Sequence, residues 1–164
     1  MQEPQKKRPS SLTEMAALMK QDVVFDKVGE AIEAYRPRPT DIVISPFGKS
    51  GTTWTQQIFH TLRTRGDMAF DDISRVVPWI ETSLALGIDI NAEQKAEPRG
   101  FKSHLSYDKI PKGARYINVI RHPVDASYSA FRFMEGWYLE PGAVSPDDYA
   151  LARLEDASYH KHFI

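Results

Sequence analysis

The segment Pro46-Phe-Gly-Lys-Ser-Gly-Thr-Thr-Trp54 constrains this chain more than any other feature. It follows a short apolar run, Asp41-Ile-Val-Ile-Ser45, and precedes an amphipathic stretch from Thr52 to about Arg65. A strand, a glycine-bearing loop with a lysine, and then a helix turn backbone N–H groups toward an anion. The helix N-terminus adds roughly half a positive charge. Gly48 and Gly51 let the backbone approach a ligand without a Cβ in the way. Lys49 supplies a full charge, and Ser50, Thr52 and Thr53 supply hydroxyls. The pattern is that of a phosphate-type site. The spacing departs from a Walker A loop, G-x-x-x-x-G-K-S/T, which needs glycine where Val43 stands. It departs from a nucleophile elbow, G-x-S-x-G, which needs glycine at Thr52. A simple Gly/Ser turn with a solvated lysine is the remaining alternative.

A second site lies further along. Residues 114–121, Ala-Arg-Tyr-Ile-Asn-Val-Ile-Arg, read as a buried strand ending in Arg121, and His122-Pro-Val-Asp follows. Pro123 suits the first position of a helix, and Asp125 complements the dipole of its first turn. From Pro123 to Ser129 the helix rises about 9 Å, so Arg121 and Ser129 can grip one anion from two sides. Pairing of Arg121 with Asp125 is the structural alternative, and five donors on the guanidinium make the two compatible.

These segments together resemble the nucleotide-dependent sulfotransferases, above all the cytosolic type. Lys49-Ser-Gly-Thr-Thr-Trp54 matches the family's 5′-phosphosulfate loop, P-K-S-G-T-T-W. Arg121 and Ser129 reproduce the arginine and serine, eight positions apart, of its 3′-phosphate motif, and Lys102-Ser-His-Leu105 corresponds to its K-T-H-L. The resemblance covers approximately Asp41 to Met134, and Gly48 stands where the family has proline.

The resemblance implies that the donor is 3′-phosphoadenosine-5′-phosphosulfate, with two separated anionic clusters, and that no metal is required. It places the phosphosulfate on Lys49 and the amides of Ser50 and Gly51, with hydroxyls from Thr52 and Thr53. It places the 3′-phosphate on Arg121 and Ser129, and adenine against Trp54. Trp54 also opens an i, i+4, i+8 stripe with Ile58 and Leu62, so packing into the core competes with stacking. His104 is then the general base, since imidazole titrates near neutrality and an attacking hydroxyl or amine must lose a proton. Lys102 and Lys49 stabilise charge on the sulfuryl and bridging oxygens. The acceptor is a small molecule, apolar or aromatic, carrying a hydroxyl or amine. Phe47, Trp79, Phe101, Tyr107, Phe131 and Trp137 are candidates for its pocket. Two other classes stay open: a P-loop nucleotide kinase or NTPase using Lys49 and Ser50, and a non-catalytic nucleotide-binding remnant.

Composition bounds the rest. The chain has 164 residues, enough for one domain with a core, and its 41% hydrophobic and 26% charged residues are ordinary globular usage. A net charge of −1 argues against general nucleic-acid binding. The absence of cysteine excludes a disulfide framework and thiolate chemistry. No apolar run is long enough to span a bilayer, so the expected location is the cytoplasm. His160 and His162 lack a nearby cluster that would complete a metal site.

Residues 1–9 are expected to be disordered and 10–164 to form the sulfotransferase domain. Ser11-Leu-Thr-Glu14 is a capping box opening a helix to about Ala34. Strand 41–46, helix 52–65, a helical stretch 71–87 broken by Pro78, strands 99–104 and 114–121, and helix 123–135 follow. Alternation of this kind predicts an α/β, P-loop-like three-layer fold with a mainly parallel central sheet. Against the family the chain reads as truncated at its C-terminus, because the basic R-K-G-x-x-G-x-x-K element is not present before Ile164.

Overall fold

The computed structural model describes residues 7–155. Ser11 caps α1 (Leu12–Lys20), its Oγ accepting from Glu14 N at 3.2 Å. The Glu14 carboxylate reaches back to Ser10 N at 2.8 Å, one residue earlier than in the standard box. The expected single helix to Ala34 is interrupted. Asp22 accepts from Val24 N and starts a separate 3₁₀ turn, Val23–Phe25, before α2 (Val28–Ala34). A short side chain that bonds the backbone two residues on competes with helix propagation.

Three strands form an all-parallel sheet in the order β2-β1-β3: β1 (Ile42–Ile44), β2 (Gly100–Lys102) and β3 (Arg115–Ile117). β1 is central, and its run of β-branched residues suits a strand flanked by neighbours on both sides. Parallel strands need crossovers. The first contains α3 (Thr52–Thr64) and the four-residue α4 (Ile73–Val76). Helices α5 (Pro123–Trp137) and α6 (Pro146–Glu155) follow β3 and pack together with α1 around Ala130, Phe131 and Tyr149. The main core lies on one side of β1, where Tyr35, Val43, Ile80 and Phe101 meet. On the other side Ile44 packs with Ile73 and Val77.

A buried charge pair sets the start of the sheet. Asp41, fully buried, accepts from Arg99 Nε at 2.9 Å and Arg99 Nη2 at 2.7 Å, from Tyr35 Oη at 3.0 Å and from Arg38 N at 2.8 Å. Arg99 spends its remaining reach on the Asn91 carbonyl at 2.8 Å. The pair therefore ties the residue before β1 to the residue before β2. Ile42 N donating to Arg99 O at 2.9 Å begins the ladder there. Gly100 then allows α3 onto the sheet, since a Cβ at that position would lie 2.0 Å from Phe59 Cε1.

Two further expectations are corrected. The 71–87 stretch is α4, capped by Asp72, then a 3₁₀ turn at Ile80–Thr82. Between them Pro78 O accepts Lys102 N at 2.8 Å and Trp79 bridges to Lys102, so the chain is drawn along β2 instead of coiling. The strand over 114–121 is regular only at Arg115–Ile117, and all three residues are exposed; among the described residues no further strand pairs beyond β3. The Trp54–Ile58–Leu62 stripe points outward, with Trp54 77% exposed. Instead α3 buries Thr52, Gln56 and His60. Gln56 donates to Val77 O at 2.9 Å, which makes the polar face the sheet-facing one. Among the described residues no helix is long and apolar enough to cross a membrane.

Burial pushes the Asp41 carboxyl up, but Arg99, the Arg38 N–H and Tyr35 outweigh it and hold it below its ordinary 3.8. A carboxyl depressed in the folded state contributes stability above the unfolded value and loses it as pH falls through the folded one. Wild type is expected to lose stability as pH falls through the carboxylate range, and Asp41→Asn to show a flatter acid limb. Removing one partner with Arg99→Met strands a buried carboxylate and is expected to cost about 3–5 kcal/mol in urea unfolding at pH 7.

Candidate functional site

The C-terminal ends of the three strands open on one side of the sheet, where parallel α/β folds bind ligands. β1 runs into the 46–51 loop, β2 into His104, and β3 into the 118–122 connection before α5. A cavity of about 530 Å³ lies there. Its walls bring together Lys49, Gly51, Thr52, Thr53, Trp54, Lys102, His104, Arg121 and Ser129, residues that span 81 positions of sequence from Lys49 to Ser129 inclusive. Ser50 lies buried beneath the loop.

Two left-handed residues set the shape of the loop. Gly51, at φ 98°, caps α3 without a side-chain hydrogen bond to the first turn, so the opening N–H groups have no side-chain cap. Lys49 takes φ 68°, a left-handed conformation uncommon for a residue with a Cβ. Ser50 N donates to Phe47 O at 3.1 Å and closes the turn, while Ser50 Oγ is buried with no hydrogen-bond partner among the described residues. Arg121 Nη1 donates to the Lys49 carbonyl at 2.9 Å, which joins the connection after β3 to the loop after β1. Lys49 Nζ sits 4.1 Å above the Phe133 ring, one helical turn beyond Ser129. Burial, then the Arg121 charge, lowers the Lys49 pKa.

The β2 end supplies the opposite wall. Lys102 Nζ lies 4.1 Å over the Trp79 ring, and burial lowers its pKa against the pull of Glu81. His104 packs edge-on to Trp79 at 5.4 Å between ring centroids. Its Nδ1 is 3.1 Å from the Pro46 carbonyl. A carbonyl only accepts, so this bond puts a hydrogen on Nδ1. Its main-chain N–H donates to Glu81 Oε1 at 2.6 Å.

The apolar lining was only partly legible. Of the six aromatic candidates, Trp79 lines the cavity. Phe101 and Phe131 are core, Tyr107 and Trp137 are exposed, and Phe47 lies under the Arg153 guanidinium at 4.6 Å. Phe133 and Met134 of α5 and Tyr138 just after it, with Met19 and Phe25, complete the wall and were missed. The signal available was spacing, since Phe133 falls at i+4 from Ser129. Arg153 and Glu81 were also missed, being on segments without a motif. His160 and His162 lie outside the described residues, and among those described no group of three metal-ligating side chains occurs.

The family described as sulfotransferase domain matches residues 39–163. The amine sulfotransferase of Oryctolagus cuniculus is 33% identical over 116 residues, covering 65% of this chain and 37% of that protein. Human sulfotransferase 1E1 is 28% identical over 153 residues, covering 84% and 52%. The crystal structure of an Arabidopsis thaliana protein named as a steroid sulphotransferase superposes with a TM-score of 0.63 at 17% identity, over 81% of this chain and 50% of that one. That likeness shows the fold. The chain spans about half the length, or less, of the curated relatives it matches.

Gly51→Ala tests the loop. A Cβ at Gly51 would meet only Val119 Cγ1, at 3.8 Å, so the cost comes from the backbone conformation. The substitution is expected to destabilise the chain by about 1–2 kcal/mol in urea unfolding.

Proposed function

The chain belongs to the sulfotransferase family, and from that premise we propose that its cavity binds 3′-phosphoadenosine-5′-phosphosulfate for sulfuryl transfer to a small acceptor. The observation that supports this most directly is the joining of Lys49, Lys102, His104, Arg121 and Ser129 around one cavity. In this reading the uncapped start of α3, Ser50 Oγ and Lys49 hold the 5′-phosphosulfate. Thr52 and Thr53 add hydroxyl donors. Arg121 and Ser129 hold the 3′-phosphate, and the outward-facing Trp54 ring is available to adenine. The orphaned Ser50 Oγ and the absence of a side-chain cap fit an anion that completes them.

The acceptor, a small molecule with a hydroxyl or amine, occupies the apolar end beside Trp79, Phe133 and Tyr138. His104 Nε2 takes its proton. The freed lone pair forms the new bond to sulfur as the bond from sulfur to the 5′-phosphate oxygen breaks. Adenosine 3′,5′-bisphosphate leaves with that electron pair. Lys49 and Lys102 meet the charge on the bridging and sulfuryl oxygens, where donors in a water-poor site are most effective. Positioning governs the rate, as in other in-line group transfers.

Isothermal calorimetry with adenosine 3′,5′-bisphosphate, against ADP with magnesium, tests the reading. Metal-independent binding of the bisphosphate alone supports it, and preference for ADP with magnesium moves the assignment to a P-loop kinase. Binding of neither favours the non-catalytic remnant. Lys49→Ala is expected to weaken bisphosphate binding at least tenfold, since a charge-assisted contact is worth about 1.5–3 kcal/mol. His104→Ala is expected to leave that affinity intact and to lower transfer by about 100- to 10,000-fold in a radiolabelled-sulfate assay.

The pH dependence follows from the lysines. Both folded-state pKa values lie below the ordinary 10.5. The cations are therefore lost earlier as pH rises, and bisphosphate affinity is expected to decline on the alkaline side before an exposed lysine would titrate. Lys49→Arg, which does not titrate in that range, is expected to remove most of the decline.

A further inference from the structure

We infer that Arg153 is a specificity-determining residue, a cation at the acceptor end of the cavity that selects acceptors carrying a carboxylate besides their hydroxyl. The inference rests on the proposed sulfuryl-transfer reading and names the acceptor class for that same site. Four lysine and arginine side chains line the cavity, Lys49, Lys102, Arg121 and Arg153, and among the described residues no acidic side chain lines it. The reading above places the first three on the donor. Arg153 has no role in it.

The setting of Arg153 fixes where it acts. It lies in the last turn of α6, whose Tyr149 packs with Ala130 and Phe131. Met134 borders that cluster and also lines the cavity, so the arginine enters beside the apolar wall. Its guanidinium carbon lies 4.6 Å over the Phe47 ring and 6.0 Å over the Tyr149 ring. Phe47 follows Pro46, whose carbonyl holds the His104 ring. The aromatic faces attract the charge but do not neutralise it. Its one hydrogen bond is long, from Nη1 to Tyr149 Oη at 3.4 Å, and among the described residues no carboxylate pairs with it. A partly buried cation without a counter-charge is costly, and a carboxylate matches the guanidinium fork with both oxygens. A protonated amine is repelled at the same place. The choice between hydroxyl and amine acceptors therefore narrows to a hydroxyl compound that is itself an anion.

Calorimetry with para-hydroxyphenylacetate, its methyl ester and tyramine, with and without saturating adenosine 3′,5′-bisphosphate, tests this. The three share a phenol and differ in charge. Wild type is expected to bind the acid at least tenfold more tightly than the ester, the size of one charge-assisted contact, and tyramine more weakly than either. Arg153→Gln is expected to abolish the preference for the acid while ester and bisphosphate affinities stay within about twofold. Arg153→Met, which keeps an apolar stem against Phe47, carries the same expectation in a second chain. Arg153→Lys should retain part of the preference, since a point charge lacks the fork. Equal binding of acid and ester by wild type, binding of none of the three, or a preference that survives both neutral substitutions overturns the inference. A matching fall in bisphosphate affinity assigns the cation to the donor and overturns it as well. If wild type fails to bind the bisphosphate yet prefers the acid through Arg153, the functional reading fails and the anion recognition stands.

Discussion

The bidentate ion pair between Arg99 and Asp41 is the constraint on which the rest of the molecule depends. Two charges out of water would be expensive, and they are tolerated because every strong donor is matched. Tyr35, Arg38 N and the Asn91 carbonyl take up what the pair leaves over. Its position matters more than its energy. By joining the residues immediately before β1 and β2, it fixes where both parallel strands begin. A strand has a side-chain period of two, so a slip of one residue would invert every face. With the register set, the strands end level, and the Lys49 loop and His104 emerge on the same side.

From that register the site assembles through main-chain contacts. The Pro46 carbonyl orients the His104 ring, the Lys49 carbonyl receives Arg121, and Pro78 and Trp79 run beside Lys102. Each contact links a residue at one strand's end to a residue arriving from another. The 46–51 loop, the His104 imidazole and Arg121 are thus parts of one connected backbone arrangement. Two lysines resting on aromatic faces complete it, because an ammonium above a ring keeps attraction while shedding water.

Helix α3 shows how position outranks pattern. Its apolar stripe of Trp54, Ile58 and Leu62 is turned outward, while Thr52, Gln56 and His60 are buried. The rotation of this helix is dictated at its start. The left-handed turn at Lys49 and Gly51 aims its N-terminus at the cavity, and Phe59 must meet the bare backbone of Gly100. Gln56 then satisfies Val77 O, which gives the buried amide a partner. The outward apolar ridge leaves the Trp54 ring exposed beside the 46–51 loop.

What the sequence by itself determined is the local chemistry. The Lys49–Trp54 loop, the Lys102–Leu105 tripeptide-plus-leucine and the Arg121–Ser129 pair were legible because short-range spacing fixes which groups share a turn or a helix face. Strand–helix alternation likewise announced a parallel sheet. The tertiary structure decided what depends on residues far apart in the chain. It broke the helices expected through residues 21–27 and 77–87, left β3 exposed, and turned Trp54 away from the core. It also selected Phe133, Tyr138 and Glu81 as neighbours of the site. Those outcomes follow from burial, register and the pairing of buried charges. These are sums over long-range contacts, and no local pattern encodes them.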